Sequence, residues 1–322
     1  MYRIGIMGSS KPLETDYDIL RELGVDDCEL CLVPRGSDGL PEPGTLDGVD
    51  ALSIEWGRAD SDVIAAHPGL RAITVMSVGF DNVDVPTATA AGIWVCNVPG
   101  YCTYDVALHT LGLIVDLYKK ITWFDDKVRA GVWDDMIGYE PPRPRGQRAG
   151  LVFFGSIPQT LAPMLQAIGM KVAAWAPTKS AEFLAGFGVE KVETPEELFA
   201  TSDVVSLHCP LVPATQDLVR RETLALMKPT AFLVQTARGG CVVEEDLAQA
   251  LLSGTIRAAA VDVIRDEVHG RSPLIGLDNC IVTPHCAYHS ADSFHEMRLR
   301  AIKGAVDALH GLRPEDPVNE VA

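Results

Sequence analysis

The sequence is poor in positive charge, in aromatic residues and in long apolar runs. Lys and Arg number 27 against 44 Asp and Glu, for a formal net charge of -17. That balance excludes the basic surface that nucleic acid and anionic membranes require. No apolar stretch is long enough to span a bilayer. The opening MYRIGIMGSS reads as a buried strand and a turn, without the basic start and cleavage site of a secretory signal, so a cytoplasmic protein is expected. The cysteines (Cys28, Cys31, Cys96, Cys102, Cys209, Cys241, Cys280, Cys286) are scattered through mostly apolar segments. Cys28 and Cys31 form a CxxC, but with neither a second pair nor a nearby histidine. Buried free thiols are therefore expected, with no disulfide and no metal site.

What is present is ample for two cores: 322 residues, 47% of them hydrophobic. Short β-rich apolar runs alternate with amphipathic segments. Arg3 to Met7, Ala51 to Ile54, Ala72 to Val75 and Ile93 to Cys96 form one strand series. Gly150 to Phe154, Val172 to Trp175, Val204 to Leu207, Ala231 to Gln235, Ala259 to Val263 and Ile281 to Thr283 form a second, six-strand series, nearly continuous in apolar residues. Strands covered by helices on both faces read this way, so the expected fold is α/β with two doubly wound parallel-sheet, Rossmann-like domains. Thr194 with Pro195 and Glu197 marks a helix start. The polar, proline-rich stretch Tyr139 to Gln147 separates a helix over about Tyr104 to Tyr118 from the second series.

From Ser77 onward, ordered segments carry a resemblance: SVGFDNVD (Ser77 to Asp84), GIWVCNVPGYCT (Gly92 to Thr103), VVSLHCPLVPAT (Val204 to Thr215), VQTARGG (Val234 to Gly240), AAVDV (Ala259 to Val263) and VTPHCAYHS (Val282 to Ser290). In these the chain resembles the D-isomer-specific 2-hydroxyacid dehydrogenases, particularly the branch related to C-terminal-binding proteins. The resemblance implies a discontinuous substrate domain of residues 1–98 and 288–322, with a dinucleotide-binding domain of residues 99–287 inserted into it. It also implies a homodimer, with His109 and the helix beginning near Thr103 at its interface.

Reducing a 2-keto acid needs a cation for the carboxylate and carbonyl, a proton donor for the oxygen, and a hydride donor. By resemblance Arg238 anchors the substrate, His285 is the general acid/base and Glu267 orients the ring, while the backbone amides of Val78 and Gly79 receive the substrate carboxylate. All three side chains lie just beyond the carboxyl ends of expected strands, where open parallel sheets place their ligands. The family usually follows the glutamate with proline. Val268 stands there instead, so a looser loop is expected. Glu55 and Trp56 occupy a loop that faces substrate in relatives, and Tyr288 replaces a tryptophan common in the C-terminal-binding branch.

The cofactor half-site departs from the pattern. A dinucleotide fold offers GxGxxG between strand and helix, whereas this chain reads Phe153, Phe154, Gly155, Ser156, Ile157, Pro158. Only the middle glycine remains, and Pro163 is expected to break one hydrogen bond of the following helix and kink it. The acid that grips the ribose hydroxyls is absent, because Ala176, Pro177, Thr178, Lys179 and Ser180 follow Trp175. A missing acid beside Thr178 and Lys179 favours NADP over NAD. By resemblance Cys209, Pro210 and Thr215 line the adenine and pyrophosphate wall, and Thr236, Ala237 and Asp262 the carboxamide pocket. Two other readings stay open: a lyase, hydratase or isomerase using the same trio on a carboxylated substrate without any dinucleotide, and a regulatory scaffold.

Overall fold

The computed structural model describes residues 1–321. The chain divides into two compact units, Met1–Tyr101 with Ser290–Ala322, and Cys102–His289. In the first, the chain runs β1 (Tyr2–Met7), α1 (Leu13–Glu22), β2 (Cys28–Val33), β3 (Ala51–Ile54), α2 (Ser61–Ala66), β4 (Ala72–Val75), α3 (Val85–Ala90) and β5 (Trp94–Cys96). The second holds α4 (Thr103–Lys119), α5 (Ile121–Arg129), β6 (Arg148–Val152), α6 (Ser156–Ala167), β7 (Lys171–Trp175), α7 (Ala181–Ala185), β8 (Val189–Val192), α8 (Pro195–Thr201) and β9 (Val204–Leu207). It continues with α9 (Arg221–Leu224), β10 (Phe232–Gln235), α10 (Glu244–Leu252), β11 (Ala258–Val261) and β12 (Cys280–Val282). The chain then returns to the first unit as α11 (Ala291–Leu309).

Both sheets are wholly parallel. The first has the order β2-β1-β3-β4-β5 and the second β12-β11-β10-β9-β6-β7-β8. Strand order therefore reverses between β1 and β3 in one unit and between β6 and β9 in the other. Loops leaving the carboxyl ends of strands at such reversals form the crevice where ligands bind. Central strands β3, β4, β9, β10 and β11 are buried at every residue, as strands under helices on both faces must be.

The second sheet has seven strands where the sequence pattern implies six, and the first has β2 as an extra edge. Both additional strands are half-exposed edges. Cys28, Leu30 and Val33 point inward while Glu29 and Leu32 face out, and Val189 and Val192 are buried around Glu190 and Lys191. The CxxC is thus one edge of a strand, and its cysteines, like the other six, are free thiols. Pro163 does not end α6, which continues to Ala167. The helix gives up one backbone bond there, and the buried residues Leu161, Ala162 and Leu165 hold it against the sheet.

Candidate active site

His285 sits in the turn after β12 with φ at 51°, a left-handed conformation that a side chain adopts only under constraint. Two backbone bonds supply it: His285 N–H donates to the Asp262 carbonyl at 2.7 Å and to the Thr283 carbonyl at 3.0 Å. The ring's Nδ1 lies 2.9 Å from Glu267 Oε2. A carboxylate only accepts, so Nδ1 carries the proton, and Nε2 is the nitrogen able to exchange a proton with a substrate oxygen. The loop bearing Glu267 is braced by the buried Glu244, whose carboxylate accepts from Arg265 N–H at 2.5 Å and from the Ser272 hydroxyl at 2.6 Å. Arg271 N–H closes back on the Asp266 carbonyl at 3.1 Å. These ties do what the missing proline was expected to do, and Val268 simply projects outward, 67% exposed.

Arg238 follows β10 and starts a 3-10 turn over Gly239–Cys241, with Nη1 donating to the Ala237 carbonyl at 2.9 Å. Gly239 is required there: a Cβ would lie 2.1 Å from the Ile264 carbonyl oxygen, which is how closely the Arg238 loop approaches the start of the Glu267 loop. Gln235 fastens this turn from both sides, donating to the Arg238 carbonyl at 2.8 Å and accepting from Ala237 N–H at 2.9 Å.

Asp262, just past β11, organises the turn that carries His285. Its Oδ1 accepts from the Thr283 hydroxyl at 2.5 Å and Cys286 N–H at 3.0 Å, and its Oδ2 accepts from Ala287 N–H at 2.9 Å. Thr236 Oγ1 is 3.1 Å from Thr110 Oγ1 on α4. His109 on α4 lies with its Nε2 3.3 Å from Thr283 Oγ1, inside its own unit. Cys209 is buried with its sulfur 3.7 Å from that of Cys241, and Thr215 closes its own loop by donating to the Pro210 carbonyl at 2.5 Å.

The glycine-poor loop keeps the shape of the motif it lacks. Phe153 holds φ at 71°, in the region usually left to glycine, with its ring edge-on to Trp175 at 5.4 Å. Gly155 is the N-cap of α6, and a methyl group on it would meet no protein atom within 4 Å. The amides of Gly155, Ser156 and Ile157 belong to the first turn, which has no intrahelical acceptors. Pro158 also falls in that turn, so its missing N–H removes no helical bond. These residues fit a pyrophosphate: an open approach, helix-start amides that pair with nothing among the described residues, and a positive helix end. After β7, Thr178 is exposed, Lys179 Nζ lies 4.8 Å above the Phe183 ring, and the Ser180 hydroxyl caps α7.

In the first unit, Val78 and Gly79 form the turn after β4. The Val78 carbonyl accepts from Asn97 Nδ2 at 2.7 Å, and among the described residues no acceptor lies on the Val78 or Gly79 N–H. Glu55 is not a surface residue. Its carboxylate, 2% exposed, is held by Arg298, the Ser10 hydroxyl and Ser10 N–H, while Arg298, 1% exposed, also donates to Asp16 at 2.6 Å. This network ties together the loops after β1 and β3, at the reversal of strand order.

Three residues without a site role in the sequence lie beside these loops. His208 Nε2 is 2.9 Å from Ser206 Oγ, and its N–H donates to the Val152 carbonyl beside Phe153. Burial pushes its imidazole down to about 3, so it is neutral at ordinary pH. Thr110 and Cys286 complete the set. His208 and Cys286 lie within segments already singled out and Thr110 within the helix before them; the contacts of Thr110 with Thr236 and of Cys286 with Asp262 come from other elements, which spacing alone does not reveal.

Residues 111–287 match the family model for the D-isomer specific 2-hydroxyacid dehydrogenase, NAD binding domain. The chain is 35% identical over 266 residues to the hydroxypyruvate reductase of Blautia hydrogenotrophica, covering 81% of each chain. It is 34% identical over 275 residues to the glyoxylate reductase of Thermofilum pendens, covering 84% of this chain and 80% of that one. The crystal structure of the TT0316 protein from Thermus thermophilus superposes with a TM-score of 0.86 at 31% identity, over 98% of this chain and all of that one. This chain is therefore a member of the D-isomer specific 2-hydroxyacid dehydrogenase family, an oxidoreductase built around an NAD-binding domain.

Proposed function

We propose that the protein reduces a small 2-keto acid, of the glyoxylate and hydroxypyruvate class, with His285 as proton donor, and that it prefers NADPH to NADH. The observation that carries this reading is the 2.9 Å contact between His285 Nδ1 and Glu267 in a turn fixed by Asp262. When bound, the dinucleotide supplies the hydride. The chain's own residues do the rest. Arg238 holds the substrate carboxylate through its planar fork and polarises the carbonyl. Val78 and Gly79 offer N–H groups to the carboxylate. His285 passes the Nε2 proton to the carbonyl oxygen as it becomes hydroxyl, while Glu267 keeps the ring aligned.

Gly155, Ser156 and Ile157 take the pyrophosphate, with Cys209, Pro210 and Thr215 as the wall opposite. Thr236, Ala237 and Asp262 take the carboxamide. The absence of an acid after β7, with Thr178 and Lys179 in its place, favours a ribose 2'-phosphate. The protein is a homodimer in this reading. What supports that is a run of exposed apolar side chains on and after α4 and α5, including Leu108, Ile121, Trp133 (90% exposed) and Met136 (75%).

Titrating the protein with NADPH and NADH, read by energy transfer from its tryptophans, tests the cofactor assignment. Both should bind, and Lys179→Ala should weaken NADPH by roughly tenfold, about 1.4 kcal/mol, with little change for NADH. Equal effects on the two would show that Lys179 is only a surface residue. Silence toward both would overturn the hydride reading for this chain.

A further inference from the structure

Asp262 is 1% exposed, and among the described residues no lysine or arginine forms an ion pair with it. Its Oδ1 is instead surrounded by donors that also ligate metals. His109 Nε2 lies 3.7 Å away, Cys286 Sγ 3.7 Å and Thr283 Oγ1 2.5 Å. The imidazole nitrogen, the carboxylate oxygen and the sulfur all fall within 4.8 Å of one another. Around a tetrahedral Zn2+, bonds of about 2.0–2.3 Å separate neighbouring donors by roughly 3.3–3.6 Å. The two contacts to Oδ1 are thus a few tenths of an ångström from ligating distance. We propose that His109, Asp262 and Cys286 form a binding site for a thiophilic divalent cation of the Zn2+ class, with Thr283 Oγ1 or a water in the fourth position.

The chemistry of the donor set selects the ion. One thiolate, one imidazole and one carboxylate suit a borderline-soft cation and discriminate against Mg2+ and Ca2+, which want oxygen ligands. A divalent charge also supplies the fixed positive partner that the buried carboxylate lacks. Binding replaces the Cys286 S–H bond by a sulfur–metal bond and releases the thiol proton to solvent, with no change of oxidation state. A second donor group, Asp27, Cys28 and His310, lies in the first unit. There Asp27 and His310 are exposed and already pair with each other at 2.9 Å, so a cation gains less from displacing water.

The site has a consequence for the reaction. Asp262 and Thr283 brace the turn of His285, and Asp262 is assigned above to the carboxamide pocket, so a bound cation excludes the nicotinamide. This inhibitory limb rests on the proposed cofactor site; the cation site itself does not.

Co2+ titrated into chelator-treated full-length protein separates the two. A thiolate-to-cobalt charge-transfer band should saturate at one ion per chain, persist in Cys28→Ser, vanish in Cys286→Ser, and need at least about 100-fold more Co2+ in His109→Gln. Zn2+ should bleach it. A melting curve accompanies each variant, and if Cys286→Ser does not fold, His109→Gln carries the test. An unchanged band in the folded variants, or none in the wild type, overturns the site. NADPH should weaken Co2+ binding and Co2+ should weaken NADPH by the same factor. Independent binding of both ligands would leave the cation site standing and overturn its inhibitory effect. Failure of the metal-free protein to bind any dinucleotide would overturn the cofactor assignment alone.

Discussion

Phe153 occupies a backbone position that glycine normally takes, and its substitution should invert the usual ranking of alanine and glycine. At φ of 71° a side chain costs about 1–2 kcal/mol, and the ring offsets this by packing on Trp175 and the core beside it. Removing a fully buried phenyl costs about 3–5 kcal/mol. Phe153 is half-buried, so its contacts are worth about half of that, ~2 kcal/mol. Phe153→Ala loses those contacts and keeps the backbone strain. Phe153→Gly loses the same contacts but relieves the strain, less about 0.5–1 kcal/mol of chain entropy. The glycine variant should therefore be the more stable of the two by about 0.5–1 kcal/mol, although both fall below the wild type. Urea unfolding of the three proteins measures this directly. An alanine variant equal to or above the glycine variant would refute the strained-turn account. The same glycine variant brings the backbone closer to a pyrophosphate and should tighten NADPH by up to about tenfold, which Phe153→Ala should not do.

His208 and the exposed apolar run give two further expectations. Because burial holds His208 at about 3 against an ordinary 6.5, the unfolded chain binds a proton that the folded chain refuses. Its contribution to stability is complete above pH 6.5 and is lost as pH falls toward 3, with a slope of up to about 1.4 kcal/mol per pH unit. His208→Gln should flatten that slope in urea titrations across the same range, and identical slopes would place the acid sensitivity elsewhere. Trp133→Ser with Met136→Ser should convert the proposed dimer to monomer in light scattering. A wild type that is already monomeric, or a variant that stays dimeric, would remove these residues from an interface.

The buried parts of the fold were legible and the edges were not. Strands β9, β10 and β11 are continuous apolar runs because helices cover both faces, and that pattern survives in the sequence. Strands β2 (CELCLV) and β8 (VEKV) are short edges without a clean alternation, β2 carrying one charged residue and β8 two adjacent ones, so they read equally as loops. The trio stands at strand ends in the family's order, so Arg238, Glu267 and His285 could be singled out. What spacing could not show is the support behind them. Glu244 bracing the Glu267 loop, Gln235 fastening the Arg238 turn and Asp262 holding His285 each reach across from another strand. The contact of His109 with Thr283 was hidden for the same reason, since the two residues lie on different elements and only the fold brings them together. Glu55 stands in a loop as expected, but the partners that bury its carboxylate, Arg298 and Ser10, lie far away in sequence.

The most direct test of the central claim is NADPH oxidation with glyoxylate and hydroxypyruvate, measured for the wild type, His285→Gln and Arg238→Ala, with a melting curve for each. The wild type should turn over at least one of the two keto acids. His285→Gln, which keeps a side chain for Glu267 but cannot carry the proton, should lower kcat by roughly 100- to 10,000-fold with little change in KM. Arg238→Ala should raise KM as well as lower kcat. A folded His285→Gln protein that reduces either keto acid at the wild-type rate would contradict the account.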